Sequence, residues 1–177
     1  MLKSDPFRKV RVAISARKNV KAAVVGGSND YYGANSLENF TSASGLSLTH
    51  EDAQGFLDYP TSFPGKVANY WFKDMQVGVW AYEEQYDNWQ DTYGMDACRV
   101  FYHSCHGDMD ANGVFQAPLG SVWDSRDWAF SNRIAFGNED LRYLFWSTCF
   151  SLRVSGNDSP VRTRNSPKKG NLRMIFG

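Results

Sequence analysis

The chain has 177 residues with 42% hydrophobic and 15% aromatic content, which excludes a disordered protein and supports one core rather than two. Lys and Arg number 19, as do Asp and Glu, so a net charge of zero gives no general attraction to nucleic acid or membrane, and neither partner is expected. No apolar stretch approaches the roughly 20 residues that cross a bilayer. The start, Met1 to Val12, is basic and interrupted by Pro6, without the apolar core of a secretory signal, so a cytoplasmic protein is expected.

Residues 1–19 read as a basic N-terminal extension and 20–177 as one domain. Val20 to Gly27 is the first predicted strand, and the glycine-rich polar residues after it suggest a strand end facing a functional edge. Leu37 to Tyr59 carries no firm pattern, although Thr49 followed by Glu51, Asp52, Ala53 and Gln54 predicts a helix start. Pro60 and Pro64 break the chain. A short helix is expected over Lys66 to Lys73, then a second strand over Met75 to Tyr82 and an acidic loop. The third strand is expected at Cys98 to Ser104, leaving through a loop dense in Gly, Asp and Asn from Cys105 to Gly120. Trp123 to Phe136 reads as holding a short helix before a fourth strand that ends at Cys149. Gly156 to Gly170 reads as a loop and Leu172 to Gly177 as a fifth strand. Buried strands separated by longer connections predict an α/β sandwich with a mainly parallel sheet.

Two apolar runs stand out. Arg99 to Gly107 delivers His106 at a glycine turn, and Leu141 to Cys149 delivers a thiol. Both are too short for ordinary helices and rich in aromatic and branched residues, so each reads as a strand buried on both faces. Side by side and parallel, the two would bring His106 and Cys149 out at one sheet edge, where such folds gather their reactive groups. A thiol and an imidazole together suit nucleophilic catalysis, because the imidazole titrates in the range needed to hand on the thiol proton. Gly107, lacking a Cβ, would let its backbone N–H join that of Cys149 in an oxyanion hole. Singly, a strand-end His is more often structural and a Cys in an apolar run more often core; their paired placement favours catalysis.

Other residues carry less. Cys98, Cys105 and Cys149 are odd in number with no repeated spacing, so no disulfide framework is expected. His103, Cys105, His106 and Asp108 are metal-ligating types, but alternation along a strand sends His103 and Cys105 to one face and His106 toward the other. No metal and no cofactor is expected. Asp108 and Asp110 flank the site, either as ordinary turn residues or as groups that orient His106 or attract a basic substrate. Between Ala23 and Leu152, 17 Asp and Glu stand against 6 Lys and Arg; this reads as a solvated acidic surface or as an acidic rim favouring basic peptides. Trp123, Trp128 and Trp146 read as core or groove walls.

An apolar strand ending in His-Gly, followed later by an apolar strand ending in Cys, resembles the caspase-like (clan CD) cysteine peptidases. Val100 to Gly107 and Leu144 to Cys149 are similar to those two blocks, and Lys21 to Tyr32 to the first strand and its loop. Cys149 to Leu152 with Leu172 to Gly177 resembles a bacterial, uncharacterised caspase-like group. The resemblance implies a caspase-like three-layer sandwich over 20–177 and a cysteine endopeptidase acting on a peptide or protein substrate. By that likeness His106 is the general base, Cys149 the nucleophile and Gly107 an oxyanion donor. Metacaspases typically place an Asp two residues before the nucleophile; here that substrate-binding position is Ser147, so a preference for Arg or Lys does not carry over. The family usually has a further segment that completes the sheet and the substrate groove, so the chain reads as truncated, as a processed large subunit whose partner would be a second subunit completing the sheet, or as a degenerate relative. The alternative reading is a non-catalytic caspase-like module that binds a partner within a larger assembly.

Overall fold

The computed structural model describes residues 31–64, 66–137, 139–154 and 172–177. The extension 1–19, the strand expected at Val20 to Gly27 and the loop expected at Gly156 to Gly170 lie outside the described residues.

Five strands form the main sheet: β1 (Tyr31–Ser36), β2 (Val67–Lys73), β3 (Val100–Ser104), β7 (Tyr143–Ser147) and β8 (Met174–Phe176). Their order is β2-β1-β3-β7-β8, and every neighbouring pair runs parallel. A second, antiparallel sheet joins β4 (Asp108–Met109), β5 (Phe115–Trp123) and β6 (Arg126–Phe130). The chain therefore has the α/β class and the mainly parallel sheet that its buried runs predict. A parallel sheet needs cover on both faces, because its crossovers bring other elements over each side.

Helix α1 (Thr49–Thr61) starts at the predicted threonine and lies over one face. Its Ala53 and Leu57 bury with Ala34 of β1, while the Phe56 ring stacks on Tyr102 of β3 at 4.9 Å and meets Phe145 of β7 at 5.3 Å. The alternate residues Phe101, Leu144 and Trp146 point to the other face and bury with Trp80, Tyr82, Phe115, Leu119 and Phe136. The short helix α2 (Asp87–Tyr93) adds Trp89 to this larger cluster. Period-two alternation thus divides each strand between two apolar layers.

Four expectations are corrected. Lys66 to Lys73 is not a helix: Val67–Lys73 pairs with β1 from Tyr31↔Val67 to Ser36↔Lys73, with Tyr70 and Phe72 turned into the core. Met75 to Tyr82 is not a strand but two short 3-10 turns, Asp74–Gln76 and Val79–Ala81. Val79 to Tyr82 are buried one after another, so the run is apolar because it is enclosed, not because it pairs. The loop expected over Cys105 to Gly120 contains β4 and most of β5, and the helix expected within Trp123 to Phe136 is instead β6 and a 3-10 turn at Ser131–Arg133. The β5–β6 hairpin turns at Asp124 and Ser125, both left-handed with φ of 52° and 60°. That backbone suits a tight hairpin, and it is usually signalled by Asn-Gly rather than Asp-Ser.

Candidate functional site

The site begins in the β3–β7 pairing. Val100↔Tyr143 through Ser104↔Ser147 run in register, and the Cys105 N–H continues the ladder to the Ser147 carbonyl at 3.4 Å. The two strands therefore end together, and the residues just after them leave from the same edge. There the chain packs tightly: a Cβ built on Gly107 would overlap the backbone carbonyl oxygen of Cys149 and lie 2.9 Å from the Phe115 ring. Glycine is required at 107 because backbone from the other strand exit occupies the space of a side chain.

Beyond β7 the chain reverses sharply. The Thr148 N–H and the Ser151 hydroxyl both donate to the Trp146 carbonyl at 3.0 Å, and Phe150 takes a left-handed φ of 61°. An aromatic residue seldom adopts that conformation, and such outliers concentrate where a chain must present a group in a particular direction. The reversal leaves Cys149 exposed, whereas Cys98 and Cys105 are buried, and none of the three forms a disulfide.

His106 is half-buried beside the segment that follows β1. Its Nε2–H donates to the Ser44 carbonyl at 3.0 Å, and its ring sits 5.1 Å from that of Phe40. A carbonyl only accepts, so the bond assigns the proton to Nε2 and leaves the Nδ1 lone pair to act as a base.

Beneath the edge lies a polar chain that the sequence did not reveal. Asn35 Nδ2 donates to the Tyr82 hydroxyl at 2.8 Å, which meets His103 Nδ1 at 3.0 Å. His103 Nε2 meets Cys105 Sγ at 2.9 Å, and that thiol donates to the His106 carbonyl at 2.7 Å. With Tyr82 donating to Nδ1 and Nε2–H donating to sulfur, every proton in the chain points toward His106. Alternation along β3 places His103 and Cys105 on one face, as the spacing implies; Asn35 and Tyr82 come from distant segments with no sequence signal. Burial pushes the Cys105 thiol well above its ordinary range, with the charge of the Cys149 thiolate adding to it. Cys105 thus stays neutral while Cys149 faces solvent.

The remaining candidates are placed as follows. Ser147 is exposed at the end of β7. Asp108 and Asp110 are exposed, and their hydrogen bonds stay in their own hairpin: Asp108 accepts from Met109 N and Gln116 Nε2, Asp110 from Asn112 N and Val114 N. They act as turn residues in these contacts. Trp146 is buried in the core and Trp123 packs against it. Among the described residues, no group of three or more His, Cys, Asp and Glu side chains comes together to hold a metal ion, and no helix is long and apolar enough to cross a membrane.

No family model, no curated protein and no solved structure matches this chain. Its function is therefore argued from the site alone.

Proposed function

We propose that the protein is a cysteine endopeptidase with a caspase-like three-layer fold, in which Cys149 is the nucleophile and His106 the general base. The observation that carries this reading is the junction of the parallel strands β3 and β7, where Gly107 packs against the Cys149 backbone and the Cys149 thiol is left facing solvent.

The chemistry follows from the proton positions. His106, held by Ser44 through Nε2, takes the Cys149 proton at Nδ1 as sulfur bonds to the scissile carbonyl carbon. The backbone N–H groups of Gly107 and Cys149 stabilise the oxyanion. His106 then gives the proton to the departing amine, leaving a thioester. Water attacks the thioester with the same imidazole as base, releasing the acid and restoring the thiol. Transfer of the acyl group to an amine would use the same residues. No cofactor enters these steps, and the substrate is a peptide or protein.

Cys149→Ala, beside Cys98→Ala and Cys105→Ala, tests the reading with a peptide library and a thiol-directed covalent probe. Cleavage and labelling should vanish only with Cys149. Labelling that persists without Cys149 and disappears in another variant ends the assignment.

A second reading is favoured by β8, which among the described residues is the last strand of the sheet and whose Met174 and Phe176 are 49% and 40% exposed. An apolar edge is a template for another chain, as a non-catalytic partner-binding module would use. Such a module keeps its partner after Cys149 is replaced, which a size measurement of the variant with candidate partners reads directly.

A further inference from the structure

Nothing in the chemistry above uses His50, yet it lies in a cluster of polar contacts at the same end of the sheet. The Trp71 indole N–H donates to Ser36 Oγ at 2.8 Å, Ser36 Oγ meets His50 Nδ1 at 2.8 Å, and His50 Nε2 donates to Asp74 Oδ2 at 3.2 Å. The set has the order of a Ser-His-Asp triad, but Ser36 is fully buried, so its hydroxyl cannot reach a substrate. The cluster must act on something else.

The other contacts of Asp74 show what that is. Its Oδ1 accepts the backbone N–H of Glu38 at 2.8 Å and of Asn39 at 2.9 Å, and its Oδ2 accepts the Asn39 side-chain amide at 3.1 Å. These residues open the segment 37–48 between β1 and α1, the segment that supplies Phe40 and the Ser44 carbonyl to His106. His50, at the far end of that segment, closes it from the other side: its own N–H donates to Glu38 Oε1 at 3.3 Å, and Leu46 N donates to the Glu38 carbonyl at 3.0 Å.

We propose that Asp74 and His50 form a clamp that holds segment 37–48 in the one shape in which Ser44 orients His106, making both positioning residues for the site. This rests on the reading of His106 as the base.

Four features support a clamp over an ordinary loop contact. Asp74 itself is left-handed, with φ of 44°, a conformation that Asp tolerates better than most residues because its short side chain bonds locally. The second sheet leaves no room for relaxation, since a Cβ on Gly120 of β5 would overlap the Asp74 carbonyl. The segment is also pinned beyond Phe40: Thr41 N donates to the Leu119 carbonyl at 3.2 Å, and the Thr41 and Ser42 hydroxyls donate to Asp127 of β6. Phe40 lies between these two anchor points, so the face of the segment presented to His106 is fixed from both sides. Four hydrogen bonds to one carboxylate also hold Asp74 in its charged form, below its ordinary range despite partial burial.

The test uses the full chain labelled with 15N. The Nε2–H proton of His106 should be seen in the hydrogen-bonded range and protected from exchange, its signal assigned by His106→Gln. Asp74→Asn keeps the left-handed preference but turns an amide donor toward His50. In that variant, with its circular dichroism unchanged, the His106 Nε2–H should be lost to exchange. Alkylation of Cys149 by iodoacetamide should slow about 10- to 100-fold, the scale on which misplacing a reacting group by about 1 Å acts. A folded Asp74→Asn variant whose His106 Nε2–H is unchanged overturns the clamp. Should Asp74→Asn not fold, His50→Gln, which leaves the backbone N–H bonds to Asp74 in place, is read in the same way: a weakened His106 signal supports the proposal and an unchanged one overturns it. Failure of the dyad is a separate outcome, seen when His106→Ala alkylates at the rate and with the pH profile of the parent chain. The exchange measurement stands whichever way that falls.

Discussion

Gly107 and Cys149, which are 42 positions apart in the chain, meet backbone to backbone: the space a side chain would need at 107 is filled by the Cys149 carbonyl. The contact fixes the position of the exposed thiol relative to the strand that carries His106, independently of any side-chain interaction between them.

Gly107→Ala should therefore damage both stability and the site. The added methyl meets backbone on one side and the buried Phe115 ring on the other, neither of which yields easily. Overpacking of this kind costs about 1–3 kcal/mol, to be read as a lowered urea midpoint. The same variant should alkylate more slowly at Cys149. An unchanged midpoint would mean that the two strand exits are not packed as described.

The three thiols should differ sharply in the native protein. A short treatment with iodoacetamide, followed by peptide mass mapping, should modify Cys149 and spare Cys98 and Cys105, which are 0% and 5% exposed. In denaturant all three should react. Native modification of Cys105 ahead of Cys149 would contradict both its burial and its raised thiol range.

Tyr82→Phe removes one oxygen and nothing else from the buried polar chain. The hydroxyl serves Asn35 and His103 together, so its loss should destabilise by about 1–3 kcal/mol, the cost of withdrawing a partner from buried polar groups. Equilibrium unfolding measures it. A neutral effect would show that water replaces the hydroxyl and that the chain is not closed.

Asp96 sets a pH dependence of its own. Burial pushes its carboxyl up to about 8, with Asp91 and Glu84 adding to the rise and the Gly137 N–H opposing it. The folded state then holds a proton that the unfolded state releases near its ordinary carboxylate range. Between about pH 4 and pH 8 stability should fall as pH rises, by up to about 1.4 kcal/mol per unit, and level off above. Asp96→Asn keeps an acceptor for Gly137 and should flatten that slope. Parallel pH curves for the two proteins would rule out the assignment.

The strands that position the site are the ones the sequence shows best. β3 and β7 are short apolar runs bounded by polar residues, and enclosure between two apolar layers gives them that pattern; β8 is an apolar run of the same kind although its Met174 and Phe176 are exposed. β2 escaped because Ala68 and Lys73 dilute its alternation, and the real signal, Tyr70 and Phe72 two apart, occupies only one face. The run at Val77 to Tyr82 misled in the opposite direction, since continuous burial reads as a strand whether or not a partner strand exists. The β5–β6 hairpin was hidden by Pro118 and Gly120 and by a turn without Asn-Gly. At the site, His106 and Cys149 are visible as residue types at strand ends. Ser44 is not, because it contributes a backbone carbonyl that any residue would carry. Asp74 is equally silent, since two of its four partners are main-chain N–H groups and all four lie 24 to 36 positions before it in sequence.

The parallel pairing of β3 with β7 also bears on when reactivity arises. Parallel neighbours cannot zip from a tight turn and must wait for the intervening chain to be made and folded. The imidazole is synthesised well before the sulfur it would serve, and the two share an edge only after that long excursion has docked. On the proposed reading of Cys149 as the nucleophile, a ribosome-bound fragment that stops before β7 carries no dyad, and the pair is assembled only once both strands have docked.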